Sequence, residues 1–125
     1  MKQWIDVVLQ YGWAYGPNGF ALKGKYCLNA LTAGGPREVY SPKGKNHYTI
    51  NEFLRPFEQT ANLCGMHYLP TFVITGANRL KSIDIDECEN TYLKALQWLS
   101  AAALNEVETS DQLFLNDLDP IRKER

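Results

Sequence analysis

The chain has 125 residues, 45% of them hydrophobic, which is enough for one modest core and excludes a disordered segment. Thirteen Lys and Arg against fourteen Asp and Glu give a net charge of −1, so no basic excess exists for counterion-driven nucleic-acid binding. No run approaches the roughly 18 apolar residues of a membrane span, and Asp6 inside the first apolar stretch excludes a signal peptide.

Met1 to about Tyr11 predicts a helix, because Met1, Trp4, Ile5, Val8 and Tyr11 fall on one side at i, i+3, i+4 and i+7 spacing. Gly12 and Gly16-Pro17-Asn18-Gly19 end it and open a loop that carries Trp13, Tyr15 and Phe20. Lys25 to Thr32 predicts a buried strand, apolar on both faces except at Asn29, as in parallel sheets covered by helices. That strand stops at Gly34-Gly35-Pro36, where the backbone is bare and no Cβ blocks a ligand. The same stop also has the composition of a simple turn.

A polar loop from Gly34 to Tyr48 follows, and loops of that length are often functional. It holds Tyr40, Asn46 and His47, all able to hydrogen-bond a flat ligand. Thr49 and Glu52 make a capping box for the next helix, whose apolar face is Ile50, Phe53, Leu54, Phe57, Ala61 and Cys64. Pro56 predicts a kink or restart within it, and Gly65 is its C′ residue. Met66 to Thr75 predicts the second strand, with Pro70 its awkward member.

A last helix is expected from about Asp84 to Leu104, buried through Ile85, Cys88, Tyr92, Ala95, Leu96, Leu99 and Ala103. Asp84, Asp86, Glu87 and Glu89 suit its N-terminal dipole and lack the spacing of a calcium loop. Residues 105–125 form a polar tail in which Leu113, Phe114 and Leu115 are available to dock.

Cys27, Cys64 and Cys88 are odd in number and lack metal-ligand spacing, so no metal site is expected. Cys27 and Cys64 read as small core hydrophobes in a reducing cytoplasm. His67 at a strand start reads as structural, and His47 divides evenly between a solvated and a catalytic histidine.

Helix, strand, helix, strand, helix is an α/β order with a parallel sheet. Two strands are too few, because a strand apolar on both faces needs a neighbour on each edge. The expected organisation is a partial doubly wound domain over residues 1–104, followed by the tail at 105–125.

Trp4-Ile5-Asp6, Gly12-Trp13-Ala14-Tyr15-Gly16, Ala21-Leu22-Lys23-Gly24-Lys25, Thr32-Ala33-Gly34-Gly35, Pro56-Phe57, Cys64-Gly65-Met66 and Tyr68-Leu69-Pro70 occur in that order. As an ordered set they resemble the flavodoxin-like NAD(P)H:quinone oxidoreductases. The branch most similar holds the KefF- and KefG-type ancillary proteins of potassium efflux and related quinone or nitro reductases; DT-diaphorase is more distant. The likeness covers Met1 to about Leu99.

This resemblance implies FMN as cofactor, NAD(P)H as co-substrate, quinones or nitroaromatics as substrates, and a homodimer. It implies that Thr32, Ala33, Gly34 and Gly35 wrap the flavin ring and that Tyr40 bonds its carbonyl edge. The family's charge-relay His falls at Asn46, with His47 one residue later, and both stay open for that role. Trp13 and Tyr15 are implied as substrate-pocket aromatics at the dimer interface. The family domain opens with a phosphate-binding loop, two further strands and a Trp-Tyr loop. None of these is in this chain, which also lacks G-x-G-x-x-G and G-x-x-x-x-G-K. The expectation is therefore the C-terminal part of a flavodoxin-like domain, from a late-placed start or a truncated gene. The alternative reading is a non-catalytic ancillary protein that binds a potassium-efflux transporter, placing it peripherally at the inner face of the membrane.

Overall fold

A computed structural model describes residues 2–101, 114–118 and 121. Met1, Ala103, Leu104, Leu113 and most of the tail lie outside the described residues. The chain divides into two compact units, residues 1–27 with 54–68, and residues 28–53 with 69–125.

In the first unit, α1 spans Lys2–Val8 and buries none of its residues. The expected stripe is thus only half realised. Ile5 and Val8 are half-buried, while Trp4 and Tyr11 stay exposed. The helix stops before Tyr11 because Gln10 turns back onto Val8 and Gly12 adopts a left-handed conformation (φ 82°). Strand β1 (Tyr26–Cys27) pairs in parallel with β3 (His67–Tyr68). Helix α3 (Arg55–Leu63) starts with Pro56 in its first turn, where a missing N–H costs nothing. Gly65 (φ 68°) closes it, its N–H donating to Asn62. Ala14, Ala61 and Cys64 are the buried hydrophobic residues among those described in this unit.

In the second unit, β2 (Ala30–Ala33) pairs in parallel with β4 (Phe72–Thr75), Ala30 opposite Phe72 and Ala33 opposite Thr75. Helix α2 (Ile50–Phe53) follows the long loop. Its capping box is present as expected, with Thr49 N–H on Glu52 Oε2 at 2.6 Å and Glu52 N–H on Thr49 Oγ1 at 3.2 Å. The restart at Pro56 divides α2 from α3. Helix α4 (Ser82–Ala101) begins two residues earlier than expected, because Asp84 accepts the N–H of Lys81 at 2.8 Å. Its buried face is narrower than the sequence implied. Ala95 is fully buried and Tyr92, Trp98 and Leu99 pack on the core, but Ile85 and Leu96 are exposed. That core joins Phe72, Ala95, Leu115 and Ile121 with Leu28 and Ile74.

Both expected long strands are broken, which corrects the reading of Lys25–Thr32 and Met66–Thr75 as continuous. Two residues, Leu28 and Asn29, separate β1 from β2, whereas three, Leu69, Pro70 and Thr71, separate β3 from β4. The pairing register therefore advances by one between Cys27–Tyr68 and Ala30–Phe72. The longer gap contains Pro70, which has no N–H to give a ladder. The strand is not buried on both faces either, since Ala30 and Thr32 are exposed.

Candidate functional site

The end of β2 delivers Thr32, exposed, and Ala33, buried, to the glycine pair. Gly35 is anchored through its carbonyl, which accepts the N–H of Gly76 at 2.8 Å. Among the described residues no acceptor meets the N–H of Gly34 or Gly35. Two donors are thus presented at the carboxyl end of a parallel strand, where α/β sheets place their ligands. A methyl group on Gly34 would stand 2.6 Å from the Asn78 side-chain nitrogen, and one on Gly35 2.8 Å from Val39 Cγ2. Both neighbours are side chains, so a methyl at Gly34 is met by movement of Asn78, whereas at Gly35 the short, branched Val39 leaves less room.

Pro36 continues extended (φ −67°, ψ 161°) into a 3₁₀ turn at Arg37–Val39, whose end is closed by the Tyr40 N–H on the Arg37 carbonyl at 3.0 Å. Tyr40 is half-buried and its hydroxyl stands 3.5 Å from where a Gly35 Cβ would lie. The glycine pair and Tyr40 are therefore brought together. Asn46 is half-buried and held beside them by its N–H on the Val39 carbonyl at 3.0 Å. His47 is exposed and its backbone is left-handed (φ 60°), an uncommon conformation for a non-glycine residue.

Trp13 and Tyr15 lie in the first unit. Trp13 is exposed; Tyr15 is half-buried, with its ring edge-on to Tyr11 at 5.8 Å. The sequence reading passed over Arg37, Asn78, Asn116 and Asp117. Arg37 and Asp117 meet across 80 residues of sequence, a separation that no local pattern reports.

Cysteine chemistry is disfavoured. All three thiols are free. Burial pushes the Cys27 thiol up, helped by Cys64, and pushes Cys64 up too. Cys88 is raised by burial and by the charges of Glu87 and Asp84. The fold thus holds thiol protons beyond the usual value of about 8.5. Their contribution to stability is complete below that value and is lost as pH rises through the raised folded pKa values, because the unfolded chain deprotonates first. Iodoacetamide is expected to label the native protein far more slowly than the urea-unfolded chain at pH 7.5. Equal rates there would contradict the burial of the thiols.

A family model described as flavodoxin-like fold matches residues 1–96. General stress protein 14 of Bacillus subtilis is 43% identical over 97 residues, 78% of this chain and 55% of its own length. The NAD(P)H oxidoreductase YdeQ of the same organism is 43% identical over 75% of this chain and 48% of its own. The potassium-efflux ancillary protein KefG of Pectobacterium atrosepticum is 38% identical, over 81% and 54%. The chain spans about half the length of these relatives.

Among solved structures, general stress protein 14 of Treponema denticola in complex with FMN superposes with a TM-score of 0.68, at 40% identity over 80% of this chain and 55% of that one. An NADPH-quinone reductase from P. pentosaceus gives 0.67 at 29% identity, over 74% and 55%. A chain described as a thermophilic tryptophan halogenase from Streptomycin violaceusniger gives 0.71 at 46%, over 74% and 54%. The names of these neighbours differ in reaction, and the fold is what they share. With its parallel strand pairs and the glycine pair at a strand end, the chain belongs to the flavodoxin-like family.

Proposed function

We propose that this chain contributes the flavin-ring half of an FMN-dependent NAD(P)H:quinone oxidoreductase. The observation that carries the reading is the pair of N–H groups at Gly34 and Gly35 that meet no acceptor among the described residues, with the Tyr40 hydroxyl close to Gly35. FMN in a Treponema denticola relative supports it, as do relatives named as NAD(P)H oxidoreductases and a neighbour named as an NADPH-quinone reductase.

The residues present fit the ring and not the phosphate. Bare backbone donors and a phenol suit the carbonyl edge of an isoalloxazine, whereas the sequence has no glycine-rich phosphate cradle. When bound, FMN supplies two-electron chemistry, taking hydride from NAD(P)H and giving it to a quinone or nitroaromatic. Gly34 and Gly35 N–H and the Tyr40 hydroxyl stabilise negative charge at the ring's carbonyl edge, where fixed donors need no reorganisation. Thr32 and Ala33 set the approach of the loop. Asn46 keeps Tyr40 in place, and the exposed His47 beside it is the alternative for the charge-relay role. Trp13 and Tyr15 supply flat apolar surface to substrate in a homodimer. The three free cysteines support a reducing cytoplasm. No helix among the described residues is long and apolar enough to cross a membrane.

The test is titration of the purified chain with FMN and with lumiflavin, which lacks the phosphate. Expected are a shifted flavin absorption band with both, bleaching by NADPH, and recovery on adding a quinone. Tyr40→Phe should weaken both flavins equally. No band shift with either flavin at millimolar concentration defeats the reading.

Similarity to KefG favours a second reading, a regulatory subunit bound to a membrane potassium-efflux transporter. Co-purification with such a transporter, undiminished when Gly34 is replaced, would support it over catalysis.

A further inference from the structure

Residues 114–118 lie beyond the stretch matched by the family model, which ends at 96, yet each of them contacts the rest of the second unit. We propose that this segment is a strap that fixes the loop carrying Tyr40, with Arg37 and Asp117 as positioning residues for the flavin ring. The positioning role rests on the flavin reading above; the mechanical role does not.

The strap is built on the outer edge of β4. Leu115 is fully buried in the core, and its N–H donates to the Thr71 carbonyl at 2.9 Å. Two residues along that edge, the Asn116 side chain takes over. Its Oδ1 accepts the Val73 N–H at 3.1 Å and its Nδ2 donates to the Val73 carbonyl at 3.0 Å. A side-chain amide thus stands where the peptide of a further strand would pair, and the edge is closed. Asp117 then does two things. Its Oδ2 accepts the Phe114 N–H at 3.3 Å, closing the strap's own turn. Its carboxylate also accepts both guanidinium nitrogens of Arg37, at 2.8 Å and 2.6 Å. The guanidinium lies 4.4 Å over the ring of Phe114, which is itself buried.

Exposed ion pairs of ordinary geometry hold little. This one is bidentate and stacked, the arrangement for which arginine and not lysine is suited. The hydrogen bond to Asp117 raises the Arg37 pKa, burial opposes it, and the charges of Asp117 and Glu38 add to the rise, so the guanidinium stays charged. Arg37 is also the residue whose carbonyl holds the Tyr40 N–H. Among the described residues the loop is held at Gly35 by Gly76, just past β4, and at Arg37 by Asp117 of the strap. With only the first, the backbone of Tyr40 can swing about Pro36.

Amide hydrogen exchange and flavin titration on Asp117→Asn, Arg37→Gln and Arg37→Lys test this. In Asp117→Asn and Arg37→Gln, exchange at Tyr40 and Asn46 should quicken about tenfold, the factor for roughly 1.4 kcal/mol of opening free energy. Amides of α3, in the other unit, should be unchanged. Lumiflavin affinity should fall several-fold, with the bound flavin's absorption band moving back toward that of free flavin. Arg37→Lys, which keeps the charge and loses the fork, should fall between. Unchanged exchange at Tyr40 in all three variants overturns the strap. Quickened exchange with unaltered flavin affinity overturns the positioning role alone. An unmodified chain that takes up no flavin overturns the flavin reading, and with it the positioning role, before any variant is compared.

Discussion

Gly44→Ala is expected to destabilise the second unit by about 2–4 kcal/mol and to abolish flavin uptake. A methyl on Gly44 would stand 2.5 Å from the Glu38 carbonyl oxygen and 2.6 Å from that of Val39. Both neighbours are backbone, so neither can rotate aside. Both carbonyls are also in use: Glu38 accepts the Ser41 hydroxyl at 3.0 Å and Val39 accepts the Asn46 N–H at 3.0 Å. Relieving the overlap therefore opens the turn that holds Tyr40 and Asn46. Overpacking of this kind costs roughly 1–3 kcal/mol and each hydrogen bond lost adds about 1. Urea denaturation followed by tryptophan fluorescence measures the loss, Trp98 reporting on this unit. A midpoint equal to that of the unmodified chain would show that the loop tolerates the methyl, and that its shape is not set by this close approach.

Features written in short sequence were legible. Thr49 and Glu52 are three residues apart, and their box depends on nothing else. Pro56 restarts a helix because the missing N–H is a local fact, and Gly65 closes that helix for an equally local reason. The Gly34-Gly35 stop was visible as composition, and the ordered motifs around it carried the family. What was not legible depended on pairing. Lys25 to Thr32 reads as one strand, but its partner carries one residue more between the paired segments, so the run breaks into β1 and β2. The extra residue is visible only once the two strands are set side by side.

The same limit applies to side chains. Asp117 reads as one more charge in a polar tail, and Arg37 as one more in a loop. Only the fold of the second unit brings them within 2.6 Å. Within α4, the sequence named Ile85 and Leu96 as buried along with Ala95, since all are apolar on a helix. The short four-residue β4 leaves less surface to cover than a 20-residue helix offers, so part of the stripe stays in solvent.

Leu115→Ala is expected to be the most damaging change outside the loop. Leu115 has no exposed surface and packs against Phe72, Ala95 and Ile121, so truncation leaves a cavity costing roughly 2–5 kcal/mol. Leu63→Ala on α3, whose side chain is largely exposed, should cost near zero by the same assay. The more telling outcome concerns coupling. Leu115 seats the strap, and once it is unseated Asp117 no longer stands in a fixed place before Arg37. Arg37→Gln should then cost appreciably in the unmodified chain and little in the Leu115→Ala background, a non-additivity of about 0.5–1 kcal/mol. Both double and single variants are read by urea denaturation at low salt, since the ion pair is partly exposed and screened at high salt. Strict additivity would mean that the buried leucine and the surface latch act independently. The strap would then be two separate contacts that happen to share a segment, and the path from the edge of β4 to the backbone of Tyr40 would be broken at Asp117.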